Sequence, residues 1–170
     1  MKSRTTVIRD ICLMAMLGVL MYVAQVALAF LPNIELVSLL TILFTVCFRE
    51  RIFGILAVFV FIEAMTYGFN TWVIMYIYIW PLLALIAWLF IWVDNAFVWA
   101  CISGIYGLCF GFLCSIVYLF IGGIGGFWAY FTSGLLFDFI HCGGNFLVAL
   151  LLYRPLKIAL DKIIKTLRLS

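Results

Sequence analysis

Polar positions are so sparse along this chain that they divide it into segments by themselves. The apolar runs between them predict six membrane-spanning helices, since one span takes ~20 largely apolar residues. The first covers residues 6–30 and stops at Leu31-Pro32, because proline cannot carry a helix onward. The second, 34–48, is short. The third covers 52–69 and turns at Asn70-Thr71. The fourth covers 72–92 and turns at Asp94-Asn95. The fifth covers 96–121 and runs into Gly122-Gly123-Ile124-Gly125-Gly126, read as a glycine-rich outer loop that could act as a flexible lid. The sixth covers 127–153. The predicted class is all-α: one polytopic membrane domain over residues 1–170 with a tail at 154–170. In that tail Leu156, Leu160, Ile163 and Leu167 share a helical face, and Lys157, Asp161, Lys165 and Arg168 lie elsewhere.

Composition removes the alternatives to lipid. The 170 residues are 69% hydrophobic and 10% charged, with a mean hydropathy of +1.32. A soluble domain averages roughly 25% charged residues, and a chain this short has too little interior to hide so much apolar side chain. A soluble globular domain and a disordered chain are both excluded. There is no phosphate loop of the G-x-x-x-x-G-K-[ST] type, no G-x-G-x-x-G after a strand, and no H-E-x-x-H or G-x-S-x-G. The chain is therefore expected not to be an enzyme, and any work driven by ATP falls to a partner. No strong internal repeat marks an inverted-repeat transporter.

Charge sets the orientation. The basic residues Lys2, Arg4 and Arg9 stand at the start, Arg49 and Arg51 in one loop, and Arg154, Lys157, Lys162, Lys165 and Arg168 in the tail. Six alternating spans put all of them on one face, which the positive-inside rule makes cytoplasmic. Both termini are then cytoplasmic, and the expected location is the cell membrane. The opening residues also resemble a signal peptide, ending in Ala27-x-Ala29, but the apolar run is long for one and five further spans follow. Cys12, Cys47, Cys101, Cys109, Cys114 and Cys142 lie in or beside the spans with no C-x-x-C pair. They read as packing residues, and no metal or cofactor is expected.

Ionisable groups inside a bilayer are costly and ask for an explanation. Glu35, Glu63 and Asp138 are such groups, with His141, Asn145, Gln25, Asn33 and Asn70 as further polar residues. Glu63, Tyr67 and Asn70 are spaced i, i+4, i+7 and share a face of the third span. Asp138, His141 and Asn145 are spaced i, i+3, i+7 and share a face of the sixth. Asn33 and Glu35 stand at the outer mouth, and Trp72, Tyr76 and Trp80 form a stripe down the fourth span, which Pro81 is expected to kink. These faces could converge on a pocket open to the outside. Against this, Asp138 and His141 could merely satisfy each other and hold helices together, and Glu63 has no cation near it in sequence. Trp72 and Trp128 suit an outer aromatic belt, Trp92 and Trp99 an inner one. Ser103, Gly107, Gly111 and Ser115 recur at steps of four, a stripe that suits close packing within the bundle or between subunits.

Four stretches carry a family resemblance: Leu31-Pro32-Asn33-Ile34-Glu35-Leu36-Val37, Tyr67-Gly68-Phe69-Asn70-Thr71-Trp72, Tyr76-Ile77-Tyr78-Ile79-Trp80-Pro81, and Phe137-Asp138-Phe139-Ile140-His141-Cys142-Gly143-Gly144-Asn145-Phe146. With six short spans they resemble the substrate-binding S-component of energy-coupling factor (ECF) vitamin transporters, in a subgroup common in Firmicutes. The resemblance implies a subunit that binds a vitamin or related micronutrient on the outer side, docks on a membrane coupling subunit driven by two cytoplasmic ATPases, and topples to deliver its cargo. It places binding residues in the outer loops and outer halves of the spans, where Asn33, Glu35, Glu63, Tyr67, Asn70, Tyr76, Trp80, Asp138, His141 and Asn145 lie. The Ala-x-x-x-Ala contact to the coupling subunit has Ala15 and Gly18 in its place, so the strict motif is not met.

Two other functions fit the residues. Glu63 and Asp138 could relay protons in a stand-alone carrier or small channel. Asp138 and His141 could form an acid–base pair in an intramembrane enzyme, although no nucleophile stands at an obvious spacing. The aromatic faces suit a flat heterocyclic ring. The lack of an outer cation disfavours recognition through a carboxylate or phosphate, leaving pyridine or pyrimidine vitamins, thiamine-like cations and corrinoids open.

Overall fold

In a computed structural model, which describes residues 4–167, every regular element is helical. The expectations on Lys2 and Arg168 lie outside the described residues, as does any contact of the Leu167 side chain. The elements are α1 (Arg4–Ala27), α2 (Val37–Phe48), α3 (Arg51–Tyr67), α4 (Thr71–Leu89), α5 (Ala96–Leu108) and α6 (Phe110–Leu167). Three helical runs are long and apolar enough to cross a membrane: Arg4–Ala27, Thr71–Leu89 and Ala96–Thr166. This is the make-up of a membrane protein.

The long run is a hairpin. α6 has helical dihedrals except at Gly123 (φ 63°, ψ −160°), a backbone region that only glycine enters freely. The contacts on either side prove the reversal. Tyr118 stacks on Tyr130 at 4.2 Å, Gly111 N donates to Asp138 at 2.9 Å, and Trp99 stacks on Tyr153 at 5.9 Å. As one partner moves towards the N-terminus the other moves towards the C-terminus, so the arms 96–122 and 124–167 are antiparallel. The expected glycine loop is thus not a loop: helix runs into and out of Gly123. Gly126 lets the arms close, since a Cβ there would stand 2.9 Å from the Tyr118 carbonyl oxygen. The first arm is itself interrupted at Cys109, between α5 and α6.

The small-residue stripe serves this hairpin. A Cβ on Gly107 would stand 2.9 Å from the His141 carbonyl oxygen, and one on Gly111 would collide with the Asp138 carboxylate. Of the two uses the stripe suits, packing within the bundle is the one realised there.

α2 occupies the centre. It touches each of the other five helices, and ten of its twelve residues are buried, as expected of a helix apolar all round. Twelve residues rise only roughly 18 Å, short of a ~30 Å hydrocarbon core. An irregular segment precedes α2. Residues 28–36 descend through successive turns, with Asn33 at φ 59°, a left-handed conformation that asparagine tolerates. Gly144 gives this segment its seat, a Cβ there lying 3.0 Å from the Asn33 carbonyl oxygen. The segment meets α6 at His141, eighteen residues and roughly 27 Å of helix from Gly123.

Three further expectations change. Trp99 is no belt residue: it is fully buried, and its indole N–H donates to the Val93 carbonyl at 3.0 Å. Trp92, by contrast, is 75% exposed. The tail continues α6 through Pro155, and its packed face is Leu156, Leu160 and Ile164, with Ile163 turned outward. Gly18 is closed off inside the protein, a Cβ there lying 2.7 Å from Val58. The i, i+3 pair on α1 therefore offers at most Ala15 to a partner, because Gly18 serves the α1–α3 contact.

Candidate functional site

A cavity of about 730 Å³ lies where the irregular 28–36 segment, the C-terminal end of α3, α4 and both arms of α6 meet. Its existence has a local cause. Residues 28–36 leave helical geometry and form one wall of the cavity, so no helix fills that space.

The opposite wall is aromatic. Tyr76 meets Trp80 edge to face at 5.3 Å, Trp80 meets Phe110 at 5.8 Å, and Phe110 meets the His141 ring at 4.9 Å. Phe59 stacks behind Tyr76 at 5.9 Å. Residues spaced by four on α4 thus do share a face, and Trp72, Tyr76 and Trp80 all line the cavity, with exposure falling from Trp72 to Trp80. Trp72, 54% exposed, lines the cavity and also reaches the protein surface.

The two acids on the cavity are held differently. Glu35 has both oxygens engaged: Oε2 accepts the Ser38 N–H at 2.9 Å at the start of α2, and Oε1 lies 3.4 Å from His141 Nε2. A carboxylate at a helix N-terminus suits the dipole there, so Glu35 ties the descending segment to both α2 and α6. Asp138 accepts one hydrogen bond, from the Gly111 N–H, through Oδ1. Its Oδ2 is buried and has no partner. Asp138 and His141 do not satisfy each other through a hydrogen bond, because each is turned to a different neighbour.

Seven of the ten candidate binding residues line this cavity: Asn33, Glu35, Tyr67, Tyr76, Trp80, Asp138 and His141. Three do not. Glu63 is buried behind the wall and accepts a 2.9 Å hydrogen bond from Gln25 Nε2. Gln25 is the lining residue, so an amide supplies what the sequence left without a partner. Asn70 is not on the face of α3, which ends at Tyr67. It is the N-cap of α4, accepting the Trp72 N–H at 2.9 Å. Asn145 is turned away from the cavity and donates to Ser38 Oγ at 3.2 Å, joining α6 to α2.

Gln25, Phe110, Gly111, Cys114, Tyr130 and Ser133 line the cavity without having been singled out as binding residues. Gln25 had one readable signal, an uncharged polar residue near the end of an apolar span. Phe110 had none, and Gly111 was legible only as a member of the small-residue stripe.

The cations stand at the other end. Arg51 begins α3, whose last residue Tyr67 lines the cavity, and it pairs with Asp10 at 3.3 Å. Arg154 lies beyond the Trp99–Tyr153 stack and pairs with Asp94 at 3.4 Å. No Lys or Arg among the described residues lines the cavity. Comparison with family models, with curated proteins and with solved structures returns no match for this chain.

Proposed function

We propose that this protein is the substrate-binding S-component of an ECF-type importer in the cell membrane. It crosses the bilayer six times with both termini in the cytoplasm. It binds a vitamin-like micronutrient from the outside and topples against a coupling subunit driven by two ATPases, which supply all the hydrolysis.

The observation that supports this reading most is the cavity. At about 730 Å³ it falls in the range of small-molecule sites. It combines an aromatic wall with a few polar groups, and it lies at the end of the bundle opposite the paired cations. The hairpin at Gly123 supports the span count by turning one apolar run into two antiparallel crossings. The resemblance read from the four motif stretches supplies the partners and the toppling step.

The test is to purify the chain alone from cells grown in rich medium, denature it and identify released molecules by mass spectrometry. One stoichiometric micronutrient is the expected result. Co-expression with an ECF coupling subunit and its ATPases should give a stable complex and ATP-dependent uptake. Uptake or ion current in liposomes holding the chain alone, without ATP, would instead establish the stand-alone carrier or channel.

A further inference from the structure

The cavity carries a pattern of unmet hydrogen-bonding groups that describes its ligand. Buried polar atoms are nearly always paired, and each exception needs a cause. Two exceptions surround Phe110-Gly111. Asp138 is 4% exposed with Oδ2 unpaired, and Trp80 is 2% exposed with its indole N–H unpaired. Asn33 Nδ2, on the descending segment, is a third. Other unpaired atoms, among them Ser103 Oγ, Asn145 Oδ1 and Tyr153 Oη, belong to residues that do not line this cavity, whereas these three residues do.

The unmet set is one acceptor and two donors. Trp80 and Asn33 require acceptors on the ligand, and a carboxylate oxygen requires an N–H or O–H donor. The charge balance narrows the choice. His141 stands against Glu35 and makes no hydrogen bond to the second lining acid, Asp138, and no Lys or Arg among the described residues lines the space. A carboxylate or phosphate would bring a second negative charge beside Asp138 into a site of low dielectric. A protonated ring nitrogen or an amino group conjugated to a ring would meet it with a charge-assisted bond. The tryptophan and phenylalanine faces beside it favour a flat ring, and a cationic one further.

We propose, building on the reading of this cavity as a substrate site, that its ligand is a flat nitrogen heterocycle, uncharged or cationic, whose edge offers an N–H to Asp138 Oδ2 and an acceptor to Trp80 Nε1. Gly111 is part of this recognition, because its missing side chain makes room for the Asp138 carboxylate and its N–H orients it. Asn33 closes the edge from the descending segment.

The experiment uses the full chain in detergent, with binding read by calorimetry and by the shift in unfolding temperature. The probes are cytosine, adenine and 4-aminopyridine, set against nicotinate and orotate, each at 1 mM. At least one amino-heterocycle should bind saturably at one per chain, and the two carboxylates should not. Asp138→Asn should weaken that binding at least tenfold, Trp80→Phe about tenfold, and Gly111→Ala should act like Asp138→Asn. Should Gly111→Ala fail to fold, Asp138→Asn and Trp80→Phe carry the test alone. Preferred binding of nicotinate or orotate, no binding of any amino-heterocycle, or unchanged affinity in both Asp138→Asn and Trp80→Phe would overturn the assignment. An anionic molecule released from the purified chain would also overturn it while leaving the S-component reading intact. ATP-independent transport by the chain alone would remove that reading instead.

Discussion

Trp80 and Trp99 are both almost completely buried, at 2% and 0% exposure, yet they belong to opposite kinds of interior. Trp99 stacks on Tyr153, and its N–H is taken by Val93 only six residues away. Every face of the ring has a neighbour. Trp80 also has aromatic neighbours, Tyr76, Phe59 and Phe110, but its N–H meets nothing and its residue borders the cavity. Burial alone therefore does not separate a core residue from a site residue in this bundle. An unpaired polar atom on a cavity-lining residue does. In lipid the lesson is sharper than in water, because helices gain little from the hydrophobic effect and stability rests on packing and hydrogen bonds.

The comparison breaks most visibly at the packed end. Trp99→Ala removes a fully enclosed ring and should cost about 3–5 kcal/mol, seen as a large drop in the unfolding temperature in detergent. Folded protein that survives should bind ligand normally. If Trp99→Ala instead lost affinity with little loss of stability, the two interiors would not be distinct.

The hairpin gives the next test. Gly123→Ala places a side chain in a backbone region reserved for glycine and should cost about 1–3 kcal/mol. Gly122→Ala, one residue earlier, has nothing within 4 Å of the new carbon and should change stability by less than about 0.5 kcal/mol. Equal effects of the two would mean that the reversal is not made at Gly123.

Asn70 sharpens the boundary of the site. As an N-cap, Asn70→Ala should cost about 1 kcal/mol and Asn70→Asp should retain most of the stability. Affinity should be unchanged in both, measured by the same calorimetry. A large affinity loss in Asn70→Asp would return this residue to the site.

Trp80→Phe returns to the pair that opened the comparison. It keeps an aromatic ring in place and deletes an N–H that has no partner, so it should shift stability by less than about 1.5 kcal/mol. Its effect on binding should far exceed its effect on folding, the reverse of Trp99→Ala.

Much of this was legible from residue types. The spacing of Trp72, Tyr76 and Trp80 placed them on one face because an α-helix repeats that way wherever it stands. The turn at Asn70-Thr71 was read correctly as a turn, yet Asn70 was also assigned to a face of the preceding helix. Its side chain is spent on the backbone of the next one, as Asn side chains at turns often are. Asp138 and His141 were placed together on α6, but which of them keeps a free atom depends on Glu35 and Gly111, more than a hundred residues and twenty-seven residues away.

The sequence by itself determined that the chain is helical and belongs in lipid, because apolar composition and helical period are local properties summed along the chain. It also determined where cations are absent, since a Lys or Arg in a span is either present or not. The tertiary structure alone decided that Gly122 to Gly126 form a closed reversal, that Glu63 stands behind Gln25, and that Glu35 rather than Asp138 engages His141. Those outcomes depend on which neighbour reaches each polar atom first, and in a bundle whose helices are apolar on nearly every side, hydrophobic pattern cannot rank the neighbours.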